Sequence, residues 1–326
     1  MKDMFYIGVD LGGTNIKAGV VDASGGVLVK DAIETQAEGG PSVVIKRICQ
    51  IIDAVREKGS LSWKKIGGVG VGAPGTLDHK KGIIFHPPNL PGWRNVPLRD
   101  EVAKNIPGGA IVENDANAAA WGEYWAGAGR EVHSMVMLTL GTGIGGGIIL
   151  EGKLVRGAHD SAAELGHTII VRGGVPCGCG SRGCLEVYAS ATAVVRRFKE
   201  AVDAGRATTL SQDVREGKEI TSKIIYEAAL AGDELAKEVM EETGRYLGTG
   251  IVSIMNTVNP ARIVLSGGMI HAGEMIMRPL KETVQELAFP IPAEKTEIVF
   301  ATLGEDAGFI GAAGLALERL KPAKAS

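Results

Sequence analysis

No apolar run in this sequence approaches the roughly 20 residues that a membrane-spanning helix requires, and neither sign of charge dominates. Lysine and arginine number 35 against 38 aspartates and glutamates, a formal net charge of −3. Nothing in that balance would draw the chain to nucleic acid or to an anionic membrane. Low-complexity linkers are missing too, and only Lys321 to Ser326 look frayed. The opening Met1-Lys-Asp-Met-Phe-Tyr-Ile runs straight into a strand pattern with no signal peptide, so a cytoplasmic location with reduced thiols is expected. No G-x-x-x-x-G-K-[ST] occurs at the glycine-rich turns, and no G-x-G-x-x-G opens a helix there, which excludes a P-loop and a dinucleotide fingerprint.

Glycine is what the chain has in excess, with 47 of 326 residues, mostly at turns that follow apolar runs. The length allows about two domains, each with its own core. Phe5 to Asp10 reads as a strand, Leu11-Gly-Gly-Thr-Asn15 as a turn, and Ile16 to Val21 and Val27 to Lys30 as the rest of a meander. Helical periodicity predicts a helix over Pro41 to Lys58 that stops at Gly59. Buried strands follow at Ile66 to Val71 and Ala110 to Glu113, the second feeding an alanine-rich helix over Ala116 to Ala126. Ser134 to Leu140, the turn Gly141 to Gly147 and the strand Ile148 to Leu150 then repeat the opening pattern. Helices are expected near 190–204, 220–231, 233–256, 274–287 and 307–320, with strands at Arg262 to Ser266 and Thr296 to Ala301. Strands alternating with helices, with a meander opening each half, predict a two-lobed α/β architecture.

Cysteine is scarce, yet three of the four fall within eight positions, Cys177-Gly-Cys179-Gly-Ser-Arg-Gly-Cys184, ten after His167. Three thiolates and one imidazole complete a tetrahedral zinc shell with no position open for a reactive water, so the metal would be structural. The alternative is a loop of reduced thiols. Cys49 stands alone in an apolar helical pattern and reads as core. Asp10-Leu-Gly-Gly-Thr-Asn15 has the physics of a phosphate turn, with backbone N–H groups exposed by glycine and a carboxylate that implies Mg²⁺ on a nucleotide. It can also be read as a plain β-turn. Leu140-Gly-Thr-Gly-Ile-Gly-Gly147 offers a second nest of donors. Asp115 stands at a strand end where α/β sheets place ligands, although an Asn-Asp pair ahead of a helix is also an ordinary cap.

Taken together, Asp10-Leu-Gly-Gly-Thr, Glu164-Leu-Gly-His167 and the cysteine loop running on to Leu185-Glu186 resemble the ROK family of sugar kinases and repressors. The similarity runs from the first strand to Leu265-Ser-Gly-Gly-Met269 and is strongest to the family's bacterial ATP-dependent glucokinases. It implies an actin-like ATPase fold (hexokinase/ribonuclease H-like), with two α/β lobes closing on a hexose and a zinc loop. Residues 1–115 with 305–326 would form the smaller lobe and 116–304 the larger. It implies ATP, Mg²⁺ and structural Zn²⁺, and transfer of the γ-phosphoryl group to the 6-hydroxyl of glucose. Asp115 would be the catalytic base. Asn114, Glu164, His167 and Glu186 would hold sugar hydroxyls, with Gly75 and Asn89 as further contacts. Asp10, Gly12, Gly13 and Thr14, with Asn15 and Lys17 beside them, and then Thr142 and Gly143, would form the phosphate turns. Gly267 and Gly268 would flank the nucleoside, and His167, Cys177, Cys179 and Cys184 would bind zinc. A homodimer or homotetramer fits the family.

The segment His159-Asp-Ser-Ala-Ala163 departs from the glycine-richer versions of this family, which leaves sugar choice open. An N-acetylmannosamine or N-acetylglucosamine kinase, or a broad hexokinase, is the alternative, and polyphosphate or ADP would need similar turns. The non-enzymatic alternative is a sugar-sensing transcriptional regulator. Family repressors carry a helix-turn-helix ahead of the first strand, whereas only Met1 to Met4 precede it here.

Overall fold

A computed structural model describes residues 4–87, 89–104 and 106–320. Its strands are β1 (Phe5–Leu11), β2 (Asn15–Asp22), β3 (Val27–Glu34), β4 (Ile66–Ala73), β5 (Leu77–Asp78), β6 (Ile83–Ile84), β7 (Ala110–Asn114), β8 (Met135–Leu140), β9 (Ile144–Leu150), β10 (Lys153–Leu154), β11 (Arg262–Ser266) and β12 (Glu297–Phe300). The helices are α1 (Gly40–Lys58), α2 (Leu98–Ala103), α3 (Asp115–Ala126), α4 (Glu186–Ala189), α5 (Ala191–Asp203), α6 (Ser211–Arg215), α7 (Ser222–Leu230), α8 (Glu234–Val258), α9 (Glu274–Leu287), α10 (Pro290–Lys295) and α11 (Ala307–Arg319). One sheet runs β3-β2-β1-β4-β7 and another β10-β9-β8-β11-β12, the same order of third, second, first, fourth and fifth strand. The repeated strand–turn–strand pattern in the sequence is thus a repeated sheet topology.

By their contacts, the described residues of 1–135, 147–163 and 301–320 form one unit, and those of 136–146 and 164–300 a second. In the first unit, the β-period of 2 sends Ile7, Val9 and Leu11 into a core shared with Val44, Ile48, Ile51, Ile52 and Val55 of α1. Those five helix residues recur at helical spacing on one face. The intervening residues of β1 meet α11 instead. There the backbones approach so closely that a Cβ at Gly8 would sit 1.7 Å from the Phe309 carbonyl oxygen. The same holds for Gly311 against Ala118 of α3, also 1.7 Å from a carbonyl oxygen. Any side chain at either position would push the helix away from its neighbour.

β1 pairs parallel to β4, and β4 parallel to β7, with Asp10 opposite Gly72 and Ala73 opposite Asn114. Asp10, the end of β4 and the β7–α3 junction therefore share the carboxyl edge of the sheet, where open α/β sheets bind ligands.

Two boundaries lie four residues from the sequence reading: β3 runs on to Glu34 instead of ending at Lys30, and β9 starts ahead of Ile148. The second glycine turn is short, because β9 begins at Ile144 and takes Gly145, Gly146 and Gly147 into the strand. Gly147 packs on α3, where a Cβ would lie 2.3 Å from that of Ala120. Glycine here serves close packing, which sequence pattern cannot distinguish from a turn. Cys49 is half-buried on the flank of α1, outside the fully buried stripe. No helix among the described residues is long and apolar enough to cross a membrane.

Candidate active site

In the first unit, the β1–β2 turn is tight, with the Gly12 N–H donating to the Asn15 carbonyl at 3.0 Å. Thr35, fully buried, braces it from outside: its hydroxyl donates to the Gly12 carbonyl at 2.7 Å and its N–H to the Thr14 carbonyl at 2.8 Å. Gly13 lies against Asn89, so close that a Cβ would come 2.9 Å from the Asn89 Cβ. The turn predicted to hold phosphate and one residue predicted to touch sugar are therefore neighbours. Thr14 and Asn15 are exposed. Lys17 faces Asp10 across the hairpin and its ammonium meets Glu305 at 2.6 Å.

Asp10 ends its strand against the first turn of α11, where a Cβ at Gly308 would lie 2.7 Å from the Asp10 carboxylate. Burial pushes its carboxyl from 3.8 up to about 6, the negative charge of Asp115 adds to the rise, and Lys17 opposes it. A buried carboxylate whose ionisation a neighbouring carboxylate opposes is what a divalent cation on a nucleotide would relieve. The consequence for stability has a sign. The folded value lies above the unfolded one, so Asp10 favours the fold only where it is protonated. That contribution is lost between about pH 4 and about pH 6. Asp10→Asn should therefore raise the stability of the nucleotide-free protein by on the order of 3 kcal/mol at pH 7. The same variant should be neutral near pH 4 and lose nucleotide turnover. Melting curves across that range check it, and equal stabilisation at both ends would contradict it.

Asn114, rather than Asp115, caps α3: its side chain accepts the Asn117 N–H at 3.1 Å. Asp115 is thereby released from capping and becomes the first helical residue, at the positive end of the helix dipole. The Ala116 N–H donates to its Oδ1 at 2.8 Å. The Asn114 amide reaches the Gly75 carbonyl at 3.4 Å, which brings a second predicted sugar contact to the same turn. Gly75 has φ +83 and packs on Pro87.

In the second unit, one ligand atom from each of His167, Cys177, Cys179 and Cys184 lies within 4.8 Å of the others. The Cys179 and Cys184 sulfurs are 3.7 Å apart, as are the Cys177 sulfur and His167 Nδ1. A tetrahedron with Zn–S near 2.3 Å and Zn–N near 2.0 Å has edges of about 3.8 Å and about 3.5 Å, so the donor set fits zinc. Burial, then the neighbouring sulfurs, push the Cys184 thiol up to about 12, while backbone N–H donation lowers Cys179. Such a group gives up all its protons only to a cation among the sulfurs. Gly180 and Gly183 have φ +89 and +83, and the loop crosses itself at Gly183 against the Val171 carbonyl.

Glu164 caps the 3-10 turn that carries His167; it is exposed, and its carboxylate has no partner among the described residues. Glu186 follows Cys184 by two residues and begins α4. Its carboxylate accepts the Ile144 N–H at 2.9 Å and lies 3.9 Å from the Cys177 sulfur. It thus ties the cysteine loop to the turn holding Thr142 and Gly143. That turn is also fastened by Thr192, whose hydroxyl donates to the Thr142 carbonyl at 2.8 Å. Gly267, with φ +90, leaves β11 against the Leu140 carbonyl, so the predicted nucleoside turn adjoins the same strand end. Beside Gly268 opens a cavity of about 320 Å³ lined by Ser222, Lys223, Tyr226, Glu227, Met240, Met269, His271 and Ala272. Met269 closes the Leu265–Met269 segment of the resemblance, while no motif marks the others, which come from α7, α8 and the segment after β11.

The segment that departs from a glycine-richer pattern shows why glycine suits it: Asp160 and Ala163 have φ +54 and +67. Asp160 is held there by His79, whose N–H donates at 3.1 Å and whose Nδ1 lies 2.5 Å from the carboxylate.

A model of the ROK family matches residues 6–319. Over 312 residues the chain is 39% identical to a glucokinase of Halalkalibacterium halodurans, which spans 95% of this chain and 94% of that protein. To a glucokinase of Thermotoga maritima it is 38% identical over 320 residues, 98% and 99% of the two chains. A ROK family glucokinase from Streptomyces griseus, solved in complex with glucose and AMPPNP, superposes with a TM-score of 0.79 at 38% identity, covering 96% of this chain and 99% of that one. The chain belongs to the ROK family. Its fold is the actin-like α/β fold of the family's kinases.

Proposed function

We propose that this protein transfers the γ-phosphoryl group of MgATP to the 6-hydroxyl of glucose. The observation that carries this reading is the pair Asp10 and Asp115 at one sheet edge, close enough that the charge of one raises the pKa of the other. The likeness to a structure holding glucose and a nucleotide supports it. Asp115 takes the proton from the sugar hydroxyl as that oxygen meets the phosphoryl group. Phosphoryl transfer leaves a protein little covalent work, so positioning and charge carry the rate. Asp10, with the N–H groups of Gly13 and Thr14 in the turn that Gly12 closes and those of Thr142 and Gly143, receives the metal-bearing phosphates. Gly267, Gly268 and the adjoining cavity take the nucleoside end. Asn114, Glu164, His167 and Glu186, with Gly75 and Asn89, hold the sugar hydroxyls. Zinc on His167, Cys177, Cys179 and Cys184 supplies a crosslink rather than a reactive centre. A homodimer or homotetramer completes the proposal.

Turnover measured on glucose, mannose, fructose, N-acetylmannosamine and N-acetylglucosamine tests the substrate. Glucose should lead in kcat/KM by tenfold or more. An N-acetyl sugar in first place would replace glucose in the proposal, and no sugar-dependent ADP from any of them would end it.

A further inference from the structure

The residue just ahead of the Asn114–Asp115 turn is a glutamate at the end of β7, and Glu113 is only 1% exposed. A carboxylate buried that deeply needs partners. Arg156 Nε donates to Oε2 at 2.7 Å and Arg319 Nη2 to the same oxygen at 3.0 Å. Oε1 accepts the Asn114 N–H and the Asn117 side-chain amide, each at 3.2 Å. The two cations arrive from far along the chain, one just past β10 and the other at the end of α11. Burial holds the Arg319 guanidinium below its ordinary range, and the like charge of Arg156 adds to that. Two half-buried arginines on one fully buried carboxylate are a costly arrangement if stability is the only return.

The placement of Oε1 shows what else it does. Asn114 precedes Asp115 and Asn117 follows it by two, so a single oxygen holds both flanks of the residue read as the base. Asn114 is in addition joined to Asn117 through the helix cap. The backbone that presents Asp115 is thereby fixed on both sides, and the oxygen that fixes it is itself pinned by two guanidinium groups through its carboxylate.

We propose that Glu113, clamped by Arg156 and Arg319, is a positioning residue for the catalytic turn, setting where Asp115 presents its carboxylate. The inference rests on the reading of Asp115 as the base. A displacement on the order of 1 Å at a reacting group can lower a rate by about 10²-fold. Glu113→Gln keeps the shape and one acceptor but removes the charge that holds the arginines. Its kcat should fall by about 10²-fold, with KM for glucose and for ATP changed less than threefold and zinc content intact. Arg319→Met leaves Arg156 on Glu113 and should give an intermediate loss that Arg319→Lys largely restores. It also serves if Glu113→Gln fails to fold.

Hydrogen exchange gives a readout independent of turnover. Amides 114–117 should exchange at least tenfold faster in the variants, with the β1 and β4 amides unchanged. Wild-type kcat below the melting transition, or unaltered exchange at 114–117, would overturn the clamp and leave a merely structural ion cluster. A wild-type protein inactive on every sugar would sink the functional reading instead, and the exchange arm would still judge the clamp.

Discussion

Asp115→Ala should lower kcat for glucose-dependent ADP formation by about 10²–10⁴-fold, the usual range for loss of a general base, while KM for glucose changes far less. The expectation follows from how the residue is held. Asn114 does the capping of α3, so removing the Asp115 carboxylate deletes neither the cap nor the first helical hydrogen bond. Asp115→Asn should behave alike, because it keeps the size and loses the basicity. The Ala and Asn variants should also ease the burden on Asp10, whose raised pKa owes its second contribution to the Asp115 charge. A variant that folds, binds glucose and retains near-normal kcat would remove Asp115 from the role of base.

The second large effect belongs to the metal. Cys184→Ser takes one donor from a set of four and should release zinc from the folded protein. Cys184 stands two residues before Glu186, and His167 stands three after Glu164. Loss of the ion therefore frees both carboxylates proposed to hold sugar. It also slackens the tie from Glu186 to the Ile144 N–H. We expect kcat/KM for glucose to fall by at least about 10²-fold, since even outer partners of metal ligands cost 10–100-fold. Removing zinc with a chelator should reproduce the loss in the wild-type chain, and readdition should reverse it. Cys49→Ser, on the flank of α1, should change neither zinc content nor rate. A zinc-free protein with full activity would show that the loop holds its shape by hydrogen bonds alone.

What the sequence revealed was local. The Asp10 turn, the Asn114–Asp115 junction and the cysteine cluster each lie within about ten residues, so spacing alone brings their groups together. Arg262–Ser266 and Glu274–Leu287 were likewise read to the residue from apolar period and glycine punctuation. What stayed hidden depends on partners far away in the chain. Thr35 braces a turn 23 residues before it, and Glu113 meets an arginine 206 residues later. A buried Glu123, which accepts the Thr302 and Leu303 N–H groups, looks in sequence like any polar helix position. The cavity beside Gly268 is assembled from α7, α8 and the segment after β11, and neither helix carries a motif. Gly147 of β9 misled for a related reason: its use is set by Ala120 across the packing, not by its neighbours in the chain.

The measurement closest to the core of the account is phosphorus NMR on purified protein given glucose and MgATP. A single new phosphomonoester on the sugar's sixth carbon, formed in step with ADP and absent when glucose is left out, is the result expected. ADP that forms at the same rate with or without glucose, or a phosphate on any other carbon, would contradict it.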